Sequence, residues 1–165
     1  GYPQIPRTLS PTNSNDSTVL YFVIGGRKLL LSSAASGQLP VFHARLSHDL
    51  HSVGKGQPIV FNFELVDTAN AYEHTDGIFT VPLTGIYVFH WNLLTWDASG
   101  MDTVLESSHG TLGFGYLSHA VNGGSLVIAR LAAGTHVWVK KADNYGNSLH
   151  KRFSTFSGYF LTETV

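Results

Sequence analysis

The sequence predicts an all-β fold of two packed sheets, and three observations carry that expectation. From residue 40 onward short apolar segments recur with Gly, Asn, Asp or Pro between them, and no 3.6-residue apolar stripe runs for ten residues or more. In the longest segment, 85–94, Tyr87, Phe89, Trp91 and Leu93 alternate with Ile86, Val88, His90 and Asn92, the two-residue period of a strand. Apolar residues make up 43% of the 165, aromatics 12% and charged residues only 13%, about half the roughly 25% usual in soluble domains. That balance excludes disorder, and the length suits one domain with a substantial core.

The elements follow in chain order. Residues 1–18 hold three Pro among Ser, Thr and Asn and read as an extended leader. Within it Asn15, Asp16 and Ser17 form an N-glycosylation sequon, which suits a secreted chain. The chain starts Gly-Tyr-Pro, without the basic end and apolar stretch of a secretory signal, as expected once a signal has been removed. Residues 19–37 read as a hairpin or linker: Val19–Ile24 and Arg27–Leu31 are apolar runs joined by Gly25 and Gly26, which tolerate a tight turn. The main domain spans 38–165. Its expected strands are Val41–Leu46, Ile59–Phe63, Ile78–Val81, Gly85–Leu94, Thr111–Ser118, Ser125–Leu131, His136–Lys141 and Ser157–Thr162. Since both faces of 85–94 are largely apolar, that strand needs cover on each side, and a neighbouring subunit on one side predicts a closed oligomer.

Composition also excludes function classes. Ten Lys and Arg against eleven Asp and Glu leave no field to gather phosphates, so nucleic acid is not an expected partner. Without Cys there is neither a disulfide framework nor a thiolate zinc site. No run of 18 apolar residues occurs, so no membrane-spanning helix is expected. No Gly-x-Ser-x-Gly, HExxH or phosphate loop is present, and the Ser-x-x-Lys at Ser52–Lys55 needs a helix that Gly54 opposes; no enzyme is expected.

The stretch FNFELVDTANAYEHTDGIFTVPLTGIYVFHW sets Phe61, Asp67, Tyr72, Phe79, Gly85, Tyr87, Phe89 and Trp91 at fixed spacing. It resembles the signature of the complement C1q globular-head family, departing only at Trp91, where Phe or Tyr is usual. VFHARLS at 41–47 is similar to the family's first strand, RLAAGTHVWVK at 130–140 to a late strand, with Thr135 in place of Asp, and FSTFSGYFL at 153–161, with Phe156 and Gly158, to its closing strand. The resemblance covers about residues 40–162. It implies a ten-strand jelly roll of the tumour-necrosis-factor type, assembled as a threefold homotrimer, with the signature residues as core and turns. Family heads often hang from stalks, but no Gly-X-Y period or heptad occurs in this chain, a layout that resembles short secreted invertebrate members.

Three constellations are candidates for binding. Nine His is more than a usual share, and His48 and His51 with Asp49 between them suit one Zn²⁺ or Cu²⁺ on an irregular loop; the alternative is ordinary loop histidines. His43, His90 and His136 alternate with apolar neighbours and read as hydrogen-bonded sheet histidines. Several family members bind calcium through loops after the Gly-x-Tyr-x-Phe strand, and the resemblance sets Asp97, Asp102 and Glu106 of TWDASGMDTVLESS there. The third is ADNYGNSLHKR at 142–152. Asp143, Asn144 and Asn147 offer hydrogen bonds, Tyr145 a stacking face, and His150, Lys151 and Arg152 a cationic cluster, a set suited to sugar hydroxyls or an acidic sugar. The expected function is therefore a secreted recognition protein for microbial or cell-surface carbohydrate in innate defence, needing no cofactor. The alternative is a histidine-rich extracellular protein that binds zinc, copper or calcium in mineral or ion handling.

Overall fold

The computed structural model describes residues 20–24, 27–31 and 38–164. The leader with its sequon at Asn15 and the Gly25–Gly26 pair lie outside the described residues. Strands β1 (Leu20–Ile24) and β2 (Arg27–Leu31) pair antiparallel, with Ile24 opposite Arg27.

The remaining ten strands are β3 (Val41–Arg45), β4 (Phe63–Asp67), β5 (Tyr72–Glu73), β6 (Ile78–Thr80), β7 (Gly85–Leu93), β8 (Met101–Ser107), β9 (Gly110–Leu117), β10 (Gly123–Leu131), β11 (His136–Lys141) and β12 (Thr155–Glu163). They form two five-stranded sheets, ordered β10-β7-β12-β3-β4 and β5-β6-β11-β8-β9. This is the ten-strand, two-sheet jelly-roll sandwich that the resemblance implies.

Alternation builds the core. On β7 the odd-numbered Tyr87, Phe89, Trp91 and Leu93 are buried, and they meet Phe42, Phe156, Phe61, Tyr72 and Phe79 in one cluster. Phe42 lies 4.7 Å from Phe79 and 4.9 Å from both Tyr72 and Phe156, ring centre to ring centre. Each such ring contributes large buried area, so the signature residues are mostly the hydrophobic centre of the sandwich. Their polar tips are satisfied: Trp91 Nε1 donates to Thr103 Oγ1 at 2.9 Å, Tyr72 to the Phe61 carbonyl at 3.2 Å and Tyr87 to the Leu83 carbonyl at 2.8 Å. Burial pushes the Tyr87 hydroxyl up to about 12 and raises that of Tyr72 as well. Asp67 organises the β4–β5 turn, accepting from the backbone N–H of Ala69 at 3.2 Å and of Tyr72 at 2.7 Å.

Three local expectations change. The 59–63 segment is extended but joins the second sheet only through single contacts such as Ile59 N–H to the Val139 carbonyl; the strand follows it, as β4. β4 lies at the edge of its sheet and is exposed along most of its length, so it carries no burial alternation. Residues 101–107, read as loop, are strand β8, whose Met101, Thr103 and Leu105 are fully buried. Of the signature residues read as core and turns, Gly85 marks no turn and is glycine because a side chain there would collide with the Phe160 ring and the Thr162 carbonyl, whereas the nearby Gly77, with φ +79°, turns the chain.

The outward face of the first sheet is open within one chain. Register lays it out in rows: Ile128, Val88, Tyr159 and Val41 form one, and Leu126, His90, Ser157, His43 and Val66 form the next. Leu126, Ile128 and Tyr159 are 58%, 63% and 44% exposed. A second apolar surface lies on β9, where Phe114 and Tyr116 are 75% and 60% exposed.

Candidate functional site

Loops that leave the ends of β3, β7 and β11 meet at one end of the sandwich, bringing together segments that are about a hundred residues apart in sequence. Leu50 and Leu149 exchange backbone hydrogen bonds of 2.9 and 2.8 Å, Val53 N–H donates to the Asn147 carbonyl at 2.9 Å, and His150 N–H to the Leu94 carbonyl at 2.8 Å. Asp97 is the clasp. Its Oδ2 accepts from Asn147 N–H at 2.7 Å, Ser148 N–H at 2.8 Å, Ser148 Oγ at 2.7 Å and Thr95 Oγ1 at 3.2 Å. Partial burial pushes the Asp97 carboxyl up, but the Ser148, Asn147 and Thr95 donors outweigh it and hold the group below the usual carboxylate range.

A second set of contacts joins the 47–51 loop to the short 3₁₀ turn Lys151–Phe153. Asp49 Oδ1 accepts from Lys151 N–H at 2.8 Å and lies 3.8 Å from His150 Nδ1. The Lys151 hydrogen bond lowers the Asp49 carboxyl despite slight desolvation. His150 Nδ1 caps the turn by accepting from Arg152 N–H at 3.1 Å. Four rings form a ladder across the loops: His51 to Trp96 at 6.0 Å and 13°, Trp96 to His150 at 4.8 Å, and His150 to Phe153 at 5.0 Å. Trp96 is 38% and Phe153 44% exposed.

Beside the ladder is an open polar cleft of about 330 Å³, lined by Lys55, Asp97, Lys141, Asn144, Gly146 and Asn147 among others. Next to it a groove of about 380 Å³ runs past His48, Asp49, His51, Ser52 and Gln57 over an apolar floor of Leu50, Val53, Pro58 and Val60.

The loop residues singled out in the sequence thus share one surface, in unequal roles. Asn144 and Asn147 line the cleft, Tyr145 is 65% exposed, and Lys151 and Arg152 stand in solvent. Asp143 is structural: Oδ2 accepts from Asp102 N–H at 2.6 Å, and Oδ1 lies 3.2 Å from the buried Lys141 ammonium, which also donates to the Asp143 carbonyl at 2.7 Å. Sequence reasoning missed Trp96, Phe153, Lys55 and Lys141; the aromatic positions in LLTW and HKRF were the available signal.

The metal sets are not assembled. His48 Nδ1 pairs with Ser47 Oγ at 2.9 Å, His51 stacks on Trp96, and Asp49 serves the Lys151 backbone. Of the calcium candidates, Asp97 is spent on its loop donors, while Asp102 and Glu106 sit on β8, with Glu106 3.1 Å from Lys140. Among the described residues no three His, Asp or Glu side chains converge as a metal would require. Nor is any helix among them long and apolar enough to cross a membrane.

The C1q domain profile matches residues 41–161, nearly the whole sandwich. The chain belongs to the C1q domain family. This is a non-enzymatic family, consistent with a site built of hydrogen bonds and stacked rings. Over 119 residues the chain is 26% identical to the human complement C1q tumor necrosis factor-related protein 3, covering 69% of this chain and 48% of the relative; the mouse protein matches equally. The chain therefore spans about half the length of the curated relatives it matches. Among solved structures, the globular domain of zebrafish complement 1qA superposes with a TM-score of 0.64 at 18% identity, covering 76% of this chain and 99% of that one. Eiger TNF from S. frugiperda gives 0.66 at 16% identity, covering 77% and 95%, and murine APRIL 0.61 at 18%, covering 75% and 100%. At these identities the likeness is one of fold.

Proposed function

We propose that this protein is a secreted C1q-domain recognition protein that binds carbohydrate on microbial or cell surfaces, three copies at a time. The loop end carries the reading: an open polar cleft lined by Asn144 and Asn147 shares this end of the sandwich with exposed Trp96, Tyr145 and Phe153 and with solvent-exposed Lys151 and Arg152. Cleft amides and carbonyls match sugar hydroxyls, the rings offer faces to the apolar side of a pyranose, and the Arg152 guanidinium suits a carboxylate in bidentate fashion.

Threefold assembly, which the family resemblance implies, is supported by the two unlike apolar surfaces. The first-sheet face with Val41, Val88, Tyr159, Leu126 and Ile128 differs from the β9 surface with Phe114 and Tyr116, so contact between them is heterologous and repeats around a closed ring. Three shallow sites held on one rigid body raise avidity about 10²- to 10⁴-fold on a repetitive surface.

The test is a glycan array on the intact chain beside Arg152→Ala and Tyr145→Ala. Both variants are expected to stay assembled while losing binding to microbial polysaccharide. Unchanged binding by both removes this loop from the account.

A further inference from the structure

The self-association face holds an unusual row. His90 on β7 and His43 on β3 both stand opposite Ser157 of the intervening β12, with Leu126 and Val66 at the two ends. His43 Nδ1 and Ser157 Oγ are 2.6 Å apart, so one imidazole already has its partner within the chain, while His90 is exposed and has no hydrogen-bond partner among the described residues. The adjacent row is apolar throughout: Ile128, Val88, Tyr159 and Val41. A polar row in the middle of a face that a neighbour must dry is tolerable while its rings are neutral and ill-suited once they are charged, because an unpaired buried charge loses its hydration without compensation.

We infer that this row is an acid switch: protonation of His43 and His90 dissociates the assembly. The inference rests on the threefold reading above. Neutral imidazoles suit the dried face and imidazolium does not, so acidification is the trigger.

The charges around the row favour release. Arg45 on β3 lies one row away, its guanidinium 4.0 Å above the Phe63 ring, and Arg130 on β10 lies two rows away, opposite Ile86. Both repel an imidazolium. Glu64 on β4 stands opposite the inward-facing Ala44, and Glu163 on β12 stands at the far end opposite Gly85. On the partner edge the nearest carboxylates are Asp102, one strand back and opposite Tyr116, and Glu106, which is paired with Lys140. Neither the histidine row nor the rows beside it hold an acidic side chain to offset the new charge.

Sedimentation of the full chain from pH 8.0 to 5.0, followed together with far-ultraviolet circular dichroism, tests this. The expected result is three times the 18.0 kDa chain mass at pH 8.0 and the single-chain mass at pH 5.0 with the β signal intact. Two histidines per copy take up protons on release, so the logarithm of the dissociation constant rises by up to about six per pH unit below the imidazole range. The variant pair His43→Gln and His90→Leu, alone and together, is expected to keep the assembly intact at pH 5.0; the Gln retains a donor for Ser157. Should the double variant fail to assemble at pH 8.0, the single variants and the wild-type slope decide. A wild type that is a single chain at every pH overturns the threefold reading itself. One that stays assembled at pH 5.0, or that dissociates identically with both histidines replaced, overturns the switch alone.

Discussion

Asp97→Ala tests whether the three loops act as one body. The carboxylate receives four hydrogen bonds from Asn147, Ser148 and Thr95, three of them between 2.7 and 2.8 Å. A hydrogen bond to a charged group contributes about 1.5–3 kcal/mol, but bonds to one acceptor do not add, and the freed Asn147 amide lies near water although Ser148 is buried. A net loss of about 3 kcal/mol follows, or a fall of about 6–12 °C in the midpoint of thermal unfolding for a chain of this size. Urea denaturation at fixed protein concentration, with hydrogen exchange read by segment, is the assay. Protection is expected to fall over 50–53 and 145–150 while β7 and β12 keep theirs, and Asp97→Asn, which retains a neutral acceptor, is expected to lose about half as much. A loss below about 1 kcal/mol for the alanine variant, or equal losses in loops and strands, refutes the clasp.

Two further outcomes follow. Because the folded Asp97 carboxyl titrates below its unfolded value of about 3.9, its contribution is present above that value and disappears as pH falls through the folded one; exchange protection of the loop end is expected to decline below about pH 4 in the wild type and to stay flat there in Asp97→Asn. Thr103→Val removes the acceptor of the buried Trp91 indole N–H without changing side-chain volume much, and is expected to cost about 1–3 kcal/mol in urea denaturation, with a wild-type-like midpoint counting against the bond.

The aromatic alternation of 85–94 and the spacing from Phe61 to Trp91 determine the sandwich, because buried rings at a two-residue period can face only one core. They also determine the family. What the sequence left illegible depends on neighbours. β8 reads as a loop because Asp102 and Glu106 interrupt its apolar residues, yet the pairing of β8 with both β9 and β11 makes it a strand. The loops at 47–51 and 142–152 read as rival metal and sugar sites; Asp97 and Asp49 tie them into one surface and consume the carboxylates a metal would need. Local periodicity is written in adjacent residues. Which carboxylate meets which amide, across fifty or a hundred positions, is decided only when the two sheets close on their core.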